Sequence, residues 1–491
     1  MPTAPTGLQP LVTLLLVAML LSGCASLIVA DTTPLAPSQM APLGSESIST
    51  GGLRLSALTT AKATPDLLVL VAISGGGKRS AAYSYGALQG MRDVSVQTAG
   101  GPLPLLSLVD GIFAISGGSF TAAYYGLYRD AAFGRFEKDF LYVDTNAYVW
   151  GIFLLPWNWG WLADPTLGTN DYMEQGYDRT MFHGARFKDL AARGRPLIAI
   201  GATEVSSGKP FIFTQENFDL ICSDLAQFPV ARAVAASNGF PGLFSPVTLT
   251  NRAARCGGRE PGWLRRVTQA DLGDPLSRIG VEAKSATRYL DQDDMRYVHL
   301  NDGGVSDNLG LRAMGTMMQN VTPSQEALAA FGLDRLRRIL VISIDGQNVQ
   351  DLSVSQRRTV GGLFALFGLV AGGKIDRFSF ETMVTFDQQL RNVTEAIRAA
   401  RCAEGPTIHG SPCEDVQSAF VQVSLSDMPP GADRDRLLAI PTGLTIERTS
   451  VDALIRAGRD AITNSEPLRR FLRSYPSRAP AYSAISAGTQ R

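Results

Sequence analysis

Histidine, cysteine and net charge are all scarce in this sequence. Its 491 residues include three histidines and five cysteines, and 45 basic side chains balance 45 acidic ones. Because nucleic-acid binding normally requires a basic face, the balanced charge argues against a nucleic-acid partner. The cysteines are not spaced as Cys-x-x-Cys pairs and few histidines could assist them, so no metal site is predicted.

The N terminus lacks an apolar run long enough for a membrane span. The run there extends from Leu8 to Leu21, which is shorter than the ~20 residues that a span needs. It ends in small residues, as a secretory signal peptide does. The residues Leu21-Ser22-Gly23-Cys24 resemble the bacterial lipobox, in which the cysteine is lipidated and becomes the new N terminus. An uncleaved anchor helix is the alternative, and in both cases the body of the protein is exported.

Two further features bear on the compartment. Ala25 stands where an Asp is associated with inner-membrane retention, so the lipobox resemblance implies the outer membrane of a Gram-negative-type envelope, on its periplasmic or surface face. The four remaining cysteines are an even number, as expected in an oxidising compartment. Of the three possible connectivities we favour Cys222–Cys256 and Cys402–Cys413, because each pair closes a short polar segment.

Five nearly continuous apolar runs indicate the fold. They cover residues 66–73, 105–116, 195–205, 295–304 and 337–346, with helix-length segments between them. Such runs predict a mainly parallel sheet covered on both faces, which is an α/β layered domain. Residues 25–60 have the composition of a flexible tether, the pattern after residue 346 is helical, and the tail from residue 476 has the composition of a disordered segment.

The first apolar run leads into three consecutive glycines, in the stretch VAISGGGKRSAAYSYGAL (71–88). Because Gly75, Gly76 and Gly77 would weaken a strand, some function must need bare backbone there. The two candidates for a ligand are a phosphate and an oxyanion that forms during a reaction. The stretch lacks the GxxxxGK(S/T) spacing of a nucleotide-binding loop, and no GxGxxG with a following ribose-binding acid occurs, which disfavours a nucleotide.

The second run leads into a serine among small residues, in GIFAISGGSFTAAYYGLY (111–128). A nucleophile on a tight strand-to-helix turn needs small residues two positions away on each side, here Ala114 and Gly118. Ala114 replaces the usual glycine. Ser116 is therefore a candidate nucleophile, and an ordinary helix N-cap is the alternative.

The fourth run ends in an aspartate and two glycines, in HLNDGGVSDNLG (299–310). Asp302, Gly303 and Gly304 are thus expected at the mouth of the sheet, where the active sites of α/β proteins form. An Asp-Gly turn is the alternative.

A serine nucleophile also needs a base, and His299, inside the apolar run, is expected to be a core histidine. The other two histidines lie in polar, loop-like stretches.

Together these motifs resemble one enzyme family. The blocks SGGGKR, AISGG, AASNGFPGLFSP (Ala235–Pro246) and NDGGVSDN occur in the order and contexts of patatin-like phospholipases. Residues 197–215 also resemble the central strand and hairpin of that family. The resemblance covers about residues 65–346, and the remainder of the chain carries no family signature that we recognise.

The resemblance implies a mechanism and a set of site residues. It implies a Ser116–Asp302 dyad that works without histidine, metal or organic cofactor. It implies an oxyanion hole of Gly75, Gly76 and Gly77, with Gly118, Gly303 and Gly304 in support. Arg79 matches the basic residue that follows the glycine triplet in the family, where it would orient the loop or contact a lipid phosphate.

The predicted fold is a three-layer α/β/α patatin-like domain with a mainly parallel central sheet, followed by a mainly helical C-terminal extension. The predicted organisation is a signal peptide (1–23), a lipidated N terminus and flexible tether (24–60), the catalytic domain (61–346), the C-terminal extension (347–475) and a disordered tail (476–491).

The expected function is that of a membrane-anchored serine hydrolase acting on the acyl esters of phospholipids or lysophospholipids. A broad carboxylesterase for small or neutral esters is one alternative. A non-catalytic lipoprotein that binds lipid is another.

A cluster of tryptophans suits a lipid substrate. The stretch YVWGIFLLPWNWGWL (148–162) holds four of the five tryptophans, namely Trp150, Trp157, Trp159 and Trp161. Tryptophan among leucine and phenylalanine favours a membrane–water boundary or the wall of an acyl pocket. A core segment, or a lid packed over the core, is the alternative.

Overall fold

The computed structural model of the protein describes residues 32–36, 53–59, 64–159, 167–257, 260–265, 267–320, 332–347, 355–356, 358 and 363–475. The predicted signal peptide, Cys24 and the tail from residue 476 lie outside these residues. Within the described ranges, no helix combines the length and apolar character needed to cross a membrane.

Strands and helices alternate through the first part of the chain, as the apolar runs predict. The strands are β1 (Leu67–Ile73), β2 (Ser95–Thr98), β3 (Gly101–Pro104), β4 (Gly111–Ile115), β5 (Leu197–Glu204), β6 (Lys209–Ile212), β7 (Val247–Thr250), β8 (Tyr297–Asn301), β9 (Arg338–Asp345), β10 (Thr407–Ile408), β11 (Ser411–Pro412) and β12 (Gln417–Ser424).

The α-helices lie between and after these strands. They are α1 (Gly77–Asp93), α2 (Gly117–Tyr128), α3 (Thr145–Leu154), α4 (Thr169–Tyr177), α5 (Phe187–Ala192), α6 (Gln215–Leu220), α7 (Val230–Ser237), α8 (Gly262–Arg265), α9 (Gln269–Gly273), α10 (Arg278–Leu290), α11 (Gly304–Asp307), α12 (Leu311–Asn320), α13 (Leu363–Glu404), α14 (Ala432–Leu438), α15 (Arg448–Thr463) and α16 (Glu466–Ser474).

An eight-stranded sheet organises the described part of the chain. Its order is β12-β9-β1-β4-β5-β8-β7, and β6 pairs with β5. The strands from β12 to β5 are parallel, whereas β6, β7 and β8 run antiparallel to their neighbours. The sheet is therefore mainly parallel, as predicted, but the fourth predicted run forms an antiparallel strand, β8.

The burial of β1 shows why the molecule has three layers. All seven residues of this strand are buried. Because successive side chains of a strand point to opposite faces, the strand contributes to two different hydrophobic clusters. Val69, Val71 and Ile73 belong to one cluster, and Leu68, Leu70 and Ala72 belong to the other. Each face of the sheet thus has its own core under covering helices, which gives the predicted α/β/α architecture.

The C-terminal region is mainly helical, as predicted, and it also completes the sheet and one helical layer. Strand β12 pairs in parallel with β9 along its whole length. Helix α15 packs directly on α1, where a Cβ atom placed on Gly458 would lie 2.0 Å from the carbonyl oxygen of Tyr83. The region after residue 346 is therefore integrated into the layers of the predicted catalytic domain.

Two stretches of the predicted tether contact the body. The backbone N–H of Leu35 donates to the carbonyl of Cys222 at 3.2 Å. The N–H of Leu55 donates to Glu216 Oε1 at 2.9 Å. Residues 32–36 and 53–59 are thus docked on the body, which corrects the expectation of a flexible tether throughout residues 24–60.

The four cysteines of the body form the two predicted disulfides. Cys222 pairs with Cys256, and Cys402 pairs with Cys413. The second bridge closes the short β10–β11 hairpin that follows α13. Each bridge therefore closes a local segment, in agreement with the pairing favoured from the sequence.

Candidate active site

Ser116 occupies a strained turn between β4 and α2. Its backbone has φ 48° and ψ −121°, a region that residues other than glycine rarely adopt. The residue stands at the N-cap position of α2, but its side chain makes no capping hydrogen bond. The N-cap alternative therefore does not explain the side chain.

Glycines next to this turn allow the close approach of two backbone segments. A Cβ atom placed on Gly117 would lie 2.0 Å from the carbonyl oxygen of Gly77. A Cβ atom placed on Gly118 would lie 2.5 Å from a methyl carbon of Ile73. The start of α2 therefore packs against the end of β1, and the serine motif and the glycine motif form one arrangement.

Asp302 lies beside Ser116. Its Oδ2 atom is 3.3 Å from Ser116 Oγ, although 186 residues separate the two in sequence. Its Oδ1 atom accepts a hydrogen bond from the N–H of Gly304 at 2.8 Å. A Cβ atom placed on Gly303 would lie 2.4 Å from the carbonyl oxygen of Gly201, so glycine there lets the turn after β8 approach β5. The fold thus brings the two candidate residues within hydrogen-bond distance.

The environment of Asp302 alters its proton affinity. Burial raises the pKa of Asp302 to about 6, and the hydrogen bonds from Gly304 and Ser116 act in the opposite direction. Desolvation disfavours the charged form, which explains the direction of the shift. A carboxylate with such a pKa is ionised at neutral pH and can accept a proton from a hydroxyl group.

The three histidines are described by contacts with residues other than Ser116. His299 lies on β8 with an exposed side chain, and its Nδ1 atom is 2.9 Å from Thr248 Oγ1. This position corrects the expectation of a core histidine, because β8 buries only alternate residues. The Nε2 atom of His409, an exposed side chain, contacts Asp334 Oδ2 at 2.5 Å. His183 ends a short π-helical segment in the left-handed conformation.

The glycine loop lies against the Ser116 turn. A Cβ atom placed on Gly75 would lie 3.3 Å from Ser116 Cβ. The N–H of Gly75 already donates to the carbonyl of Asn308 at 2.8 Å, so one of the three expected oxyanion donors is committed elsewhere. The N–H groups of Gly76 and Gly77 have no hydrogen-bond partner within the described ranges. They open α1, where unpaired N–H groups and the helix dipole favour an anion.

The backbone of this loop explains why it is made of glycine. Gly76 has φ 130° and Gly77 has φ 57°, and both values lie in the region that side chains disfavour. A Cβ atom on Gly77 would also lie 2.7 Å from the carbonyl oxygen of Gly443. The backbone can therefore adopt this conformation, which presents the two N–H groups, only because Gly76 and Gly77 have no side chains.

Arg79 is buried inside the protein. Its side chain is fully inaccessible to solvent, and Nη1 donates to the carbonyl of Ile440 at 3.3 Å. Burial lowers the pKa of Arg79 to about 10, against the opposing effect of the Asp345 carboxylate. Of the two roles expected from the sequence, orienting the loop fits this position, and contacting a lipid phosphate does not.

A small cavity lies beside the glycine loop. Its volume of about 10 Å³ is enough for about one water molecule. Gly77, Asn238 and Lys78 contribute to its lining.

Lys78, to which the sequence motifs assign no role, is buried and donates to Thr145 Oγ1 at 3.0 Å. Burial lowers the pKa of Lys78 to about 8, and the Asp144 carboxylate acts in the opposite direction.

Two consecutive residues without an assigned role in the sequence motifs also contact Ser116. Ser237 Oγ accepts a hydrogen bond from the N–H of Ser116 at 2.8 Å. Asn238 Oδ1 lies 3.2 Å from Ser116 Oγ. Both belong to the stretch AASNGFPGLFSP at the end of α7. Their contact spans more than 120 positions, so no local pattern could have assigned it.

The tryptophan-rich stretch is partly exposed to solvent. Trp150 is 57% exposed and Trp159 is 52% exposed, and Leu154 between them is 68% exposed. The side chain of Trp157 and the whole of Trp161 lie outside the part of the chain that the structure describes. Two of the four tryptophans are therefore not core residues.

Comparison with known proteins gives one family match. The family model described as Patatin-like phospholipase matches residues 71–314, which include both Ser116 and Asp302. No curated protein matches the chain.

Solved structures give distant similarities. Human GIVD cytosolic phospholipase A2 has a TM-score of 0.42 and 11% sequence identity, over 90% of this chain and 68% of that chain. The same human enzyme in complex with methyl gamma-linolenyl fluorophosphonate and terbium chloride has a TM-score of 0.38 and 12% identity, over 90% of this chain and 65% of that chain.

Proposed function

Because residues 71–314 belong to the patatin-like phospholipase family, we propose that this protein is a serine hydrolase that cleaves carboxylic ester bonds of lipids. One observation carries the proposal. Ser116 Oγ, on a strained strand-to-helix turn, lies 3.3 Å from a buried carboxylate, Asp302 Oδ2. A nucleophile within reach of a base is the arrangement that acyl transfer through a covalent intermediate requires.

Ser116 and Asp302 have separate roles in the proposed reaction. Asp302 accepts the hydroxyl proton of Ser116 as Oγ attacks the ester carbonyl carbon. Asp302 then gives that proton to the alcohol oxygen as the alcohol leaves, and the acyl group remains on Ser116. In the second step Asp302 accepts a proton from the water that attacks the acyl-enzyme, and it returns this proton to Ser116 Oγ as the fatty acid leaves.

The glycine loop supports this reaction by binding the developing negative charge. Each tetrahedral intermediate carries an oxyanion, and donors held in place for it lower the barrier. The N–H groups of Gly76 and Gly77, which have no partner among the described residues, lie at the start of α1 and are suited to that role. Removing one such donor typically costs about 10²–10³-fold in kcat.

The proposal includes attachment to a membrane. We propose that Cys24 is lipidated after export and that the protein resides at the outer membrane. Residues 32–36 are docked on the body, so a lipidated Cys24 would hold the body close to the bilayer. The exposed rings of Trp150 and Trp159 are of the kind that settles at the headgroup level of a bilayer.

Hydrolysis of defined lipids tests the catalytic part of this function. Purified protein is incubated with phosphatidylcholine vesicles, with lysophosphatidylcholine and with a soluble short-chain ester, and fatty-acid release is measured. We expect release from at least one lipid, and its loss in Ser116→Ala. Activity on the short-chain ester alone would favour the broad carboxylesterase, and no activity on any substrate would favour the non-catalytic lipoprotein.

A second experiment tests the membrane part. Trp150→Ala with Trp159→Ala should slow hydrolysis of vesicle phospholipid more than hydrolysis of the soluble ester. Leu276→Ala, which removes an apolar side chain that is 87% exposed on a different segment, serves as the control. An equal loss on both substrates would contradict the interfacial role, and Cys24→Ser should release the protein from the membrane without affecting the soluble-ester rate.

A further inference from the structure

Asn238 lies within hydrogen-bond distance of the nucleophile, and the reaction above gives it no role. Its Oδ1 atom is 3.2 Å from Ser116 Oγ, at about the same distance as Asp302 Oδ2. The Asn238 side chain is buried, at 7% exposure. A buried polar group in contact with the reacting atom needs a physical account.

The end of α7 holds both members of the proposed dyad. Ser237 Oγ accepts the N–H of Ser116 at 2.8 Å. The carbonyl of Gly239 accepts the N–H of Asp302 at 3.1 Å. Asn238 stands between these two attachments, so its position relative to the dyad is fixed by its immediate neighbours in sequence.

A tyrosine holds the other side of the Asn238 amide. Tyr177 and Asn238 line the same small cavity, where the Asn238 side chain interacts with the Tyr177 hydroxyl. The ring of Tyr177 is buried and packs edge-on against Phe120, with 4.8 Å between the ring centres. A tyrosine hydroxyl can donate or accept, so Tyr177 can satisfy either end of the amide and leave the other end for Ser116 Oγ.

The single hydroxyl proton of Ser116 determines which end of the Asn238 amide can assist proton transfer to Asp302. The hydroxyl of Ser116 has one proton, which cannot be donated to Asp302 and Asn238 at once. A proton donated to Asn238 would not reach the base. A 180° turn of the amide exchanges its oxygen and nitrogen in place, so that Nδ2 donates to Ser116 Oγ while the amide oxygen accepts from Tyr177.

We propose that Asn238 is a catalytic residue that donates a hydrogen bond from Nδ2 to Ser116 Oγ and stabilises the alkoxide during proton transfer. This inference rests on the proposed function. In the step concerned, the Oγ–H bond breaks and the proton bonds to Asp302 Oδ2. The electron pair left on Oγ forms the bond to the ester carbonyl carbon, and the π pair of the carbonyl moves onto its oxygen.

The test is the rate of covalent labelling by a fluorophosphonate, together with kcat and KM for a soluble short-chain ester. Asn238→Ala should lower the labelling rate and kcat by about 10- to 100-fold, as loss of a hydrogen bond to a charged atom does, with little change in KM. Tyr177→Phe keeps the amide but removes its orienting partner, so a smaller loss of about 3- to 10-fold is expected. Circular dichroism confirms that each variant is folded.

A charged variant gives a readout that packing alone would not move. Asn238→Asp places a second carboxylate within reach of Ser116 and Asp302, and like charges raise each other's pKa. The acid limb of the kcat/KM profile should therefore shift upward by about one pH unit. An acid limb at the wild-type pH in this variant would contradict the proposal.

Asn170→Ala is the matched control. Asn170 is also a buried asparagine, and its Nδ2 donates to the carbonyl of Ala235 in α7 at 3.1 Å without contacting Ser116. This variant should lose stability but keep its labelling rate. Two results would overturn the inference while leaving the proposed function intact. One is that the wild type and Asn238→Ala are labelled at the same rate. The other is that Asn170→Ala loses as much of its labelling rate as Asn238→Ala does. Absence of labelling in the wild-type protein would overturn the proposed function itself, and the inference with it.

Discussion

Two buried aspartates at the ends of two strands of the central sheet differ in their neighbours. Asp302 follows β8 and Asp345 ends β9, and burial raises the pKa of each carboxyl to about 6. Asp302 faces the hydroxyl of Ser116. Asp345 caps the N–H of Gln347 at 3.0 Å and acts electrostatically on Arg79. At both sites the raised pKa results from burial and does not by itself identify a catalytic group. Only the neighbouring group distinguishes a candidate base from a structural carboxylate.

The largest expected effect is on catalysis. Asp302→Asn should lower kcat/KM for a lipid or short-chain ester by about 10²–10⁴-fold, since it removes the general base. Asp345→Asn should have a far smaller effect, because that carboxylate contacts no reacting group. Steady-state kinetics of the two variants and the wild type give the comparison. Equal losses in both variants would mean that the two carboxylates act on the site in the same way.

The next effect concerns the glycine loop and leaves both carboxylates in place. Gly77→Ala puts a side chain where φ is 57° and the nearest backbone oxygen would be 2.7 Å away. The loop must shift, so kcat should fall by about 10- to 10³-fold through loss of oxyanion donors. Gly134→Ala is the control, because Gly134 also has a positive φ, of 87°, but an added Cβ would meet no atom within 4 Å. Similar losses of activity in the two variants would show that backbone strain alone accounts for the effect.

The third effect is on stability and has the opposite sign. The pKa of Asp302 is about 6 in the folded protein and 3.8 as an ordinary aspartate. Its charge therefore destabilises the fold progressively as pH rises between these values, and fully above them. Asp302→Asn removes the charge, so at pH 7 it should raise the free energy of unfolding by about 1–3 kcal/mol. Urea denaturation at pH 7 measures this quantity.

The matched variant sharpens the stability result. Asp345→Asn should gain less than Asp302→Asn, because it also removes the negative charge that faces the buried Arg79. The difference between the variants should shrink as the pH falls from about 6 to 3.8, because both carboxyls become protonated in the folded state over this range. A lower stability for Asp302→Asn than for wild type at pH 7 would contradict the account of its burial.

The smallest effect is the position of one limb of the pH profile. Because Asp302 must be ionised to accept a proton, kcat/KM should fall as pH drops through about 6. Asp345→Asn should leave this limb where it is in the wild type, although Asp345 has a similar pKa. Profiles of kcat/KM measured between pH 4 and pH 8 test this expectation. An acid limb that shifts in Asp345→Asn would mean that Asp345, and not Asp302, determines its position.

The fold was largely predictable because its strands are continuous apolar runs. β1 contains only apolar residues and β9 has one polar residue, Ser343, between its charged ends, and both strands are buried along their whole length. β12, Gln417–Ser424, is only partly buried and contains polar residues, so no continuous apolar run marked it as a strand within the region predicted to be helical. The antiparallel direction of β8 could not be predicted either, because strand direction depends on how distant segments meet.

The candidate site was predictable where short motifs encode backbone geometry. The glycines beside Ser116 and Asp302 are needed for close approach, and Gly76 and Gly77 also have positive φ, so these glycines leave a local pattern. Asn238 and Lys78 lie within the motif blocks, but the motifs do not predict their contacts, because these are with segments far away in the chain. The sequence also could not show that the N–H of Gly75 already donates a hydrogen bond, because its acceptor is the backbone carbonyl of the distant residue Asn308.

The most direct test of the central claim is the site of covalent modification by a fluorophosphonate, mapped by mass spectrometry of peptides. We expect an adduct on Ser116 in the wild-type protein and in Asp345→Asn, and little or no adduct in Asp302→Asn under the same conditions. An adduct on another residue, or equally fast modification of Ser116 in Asp302→Asn, would contradict the assignment of Ser116 and Asp302 as nucleophile and base.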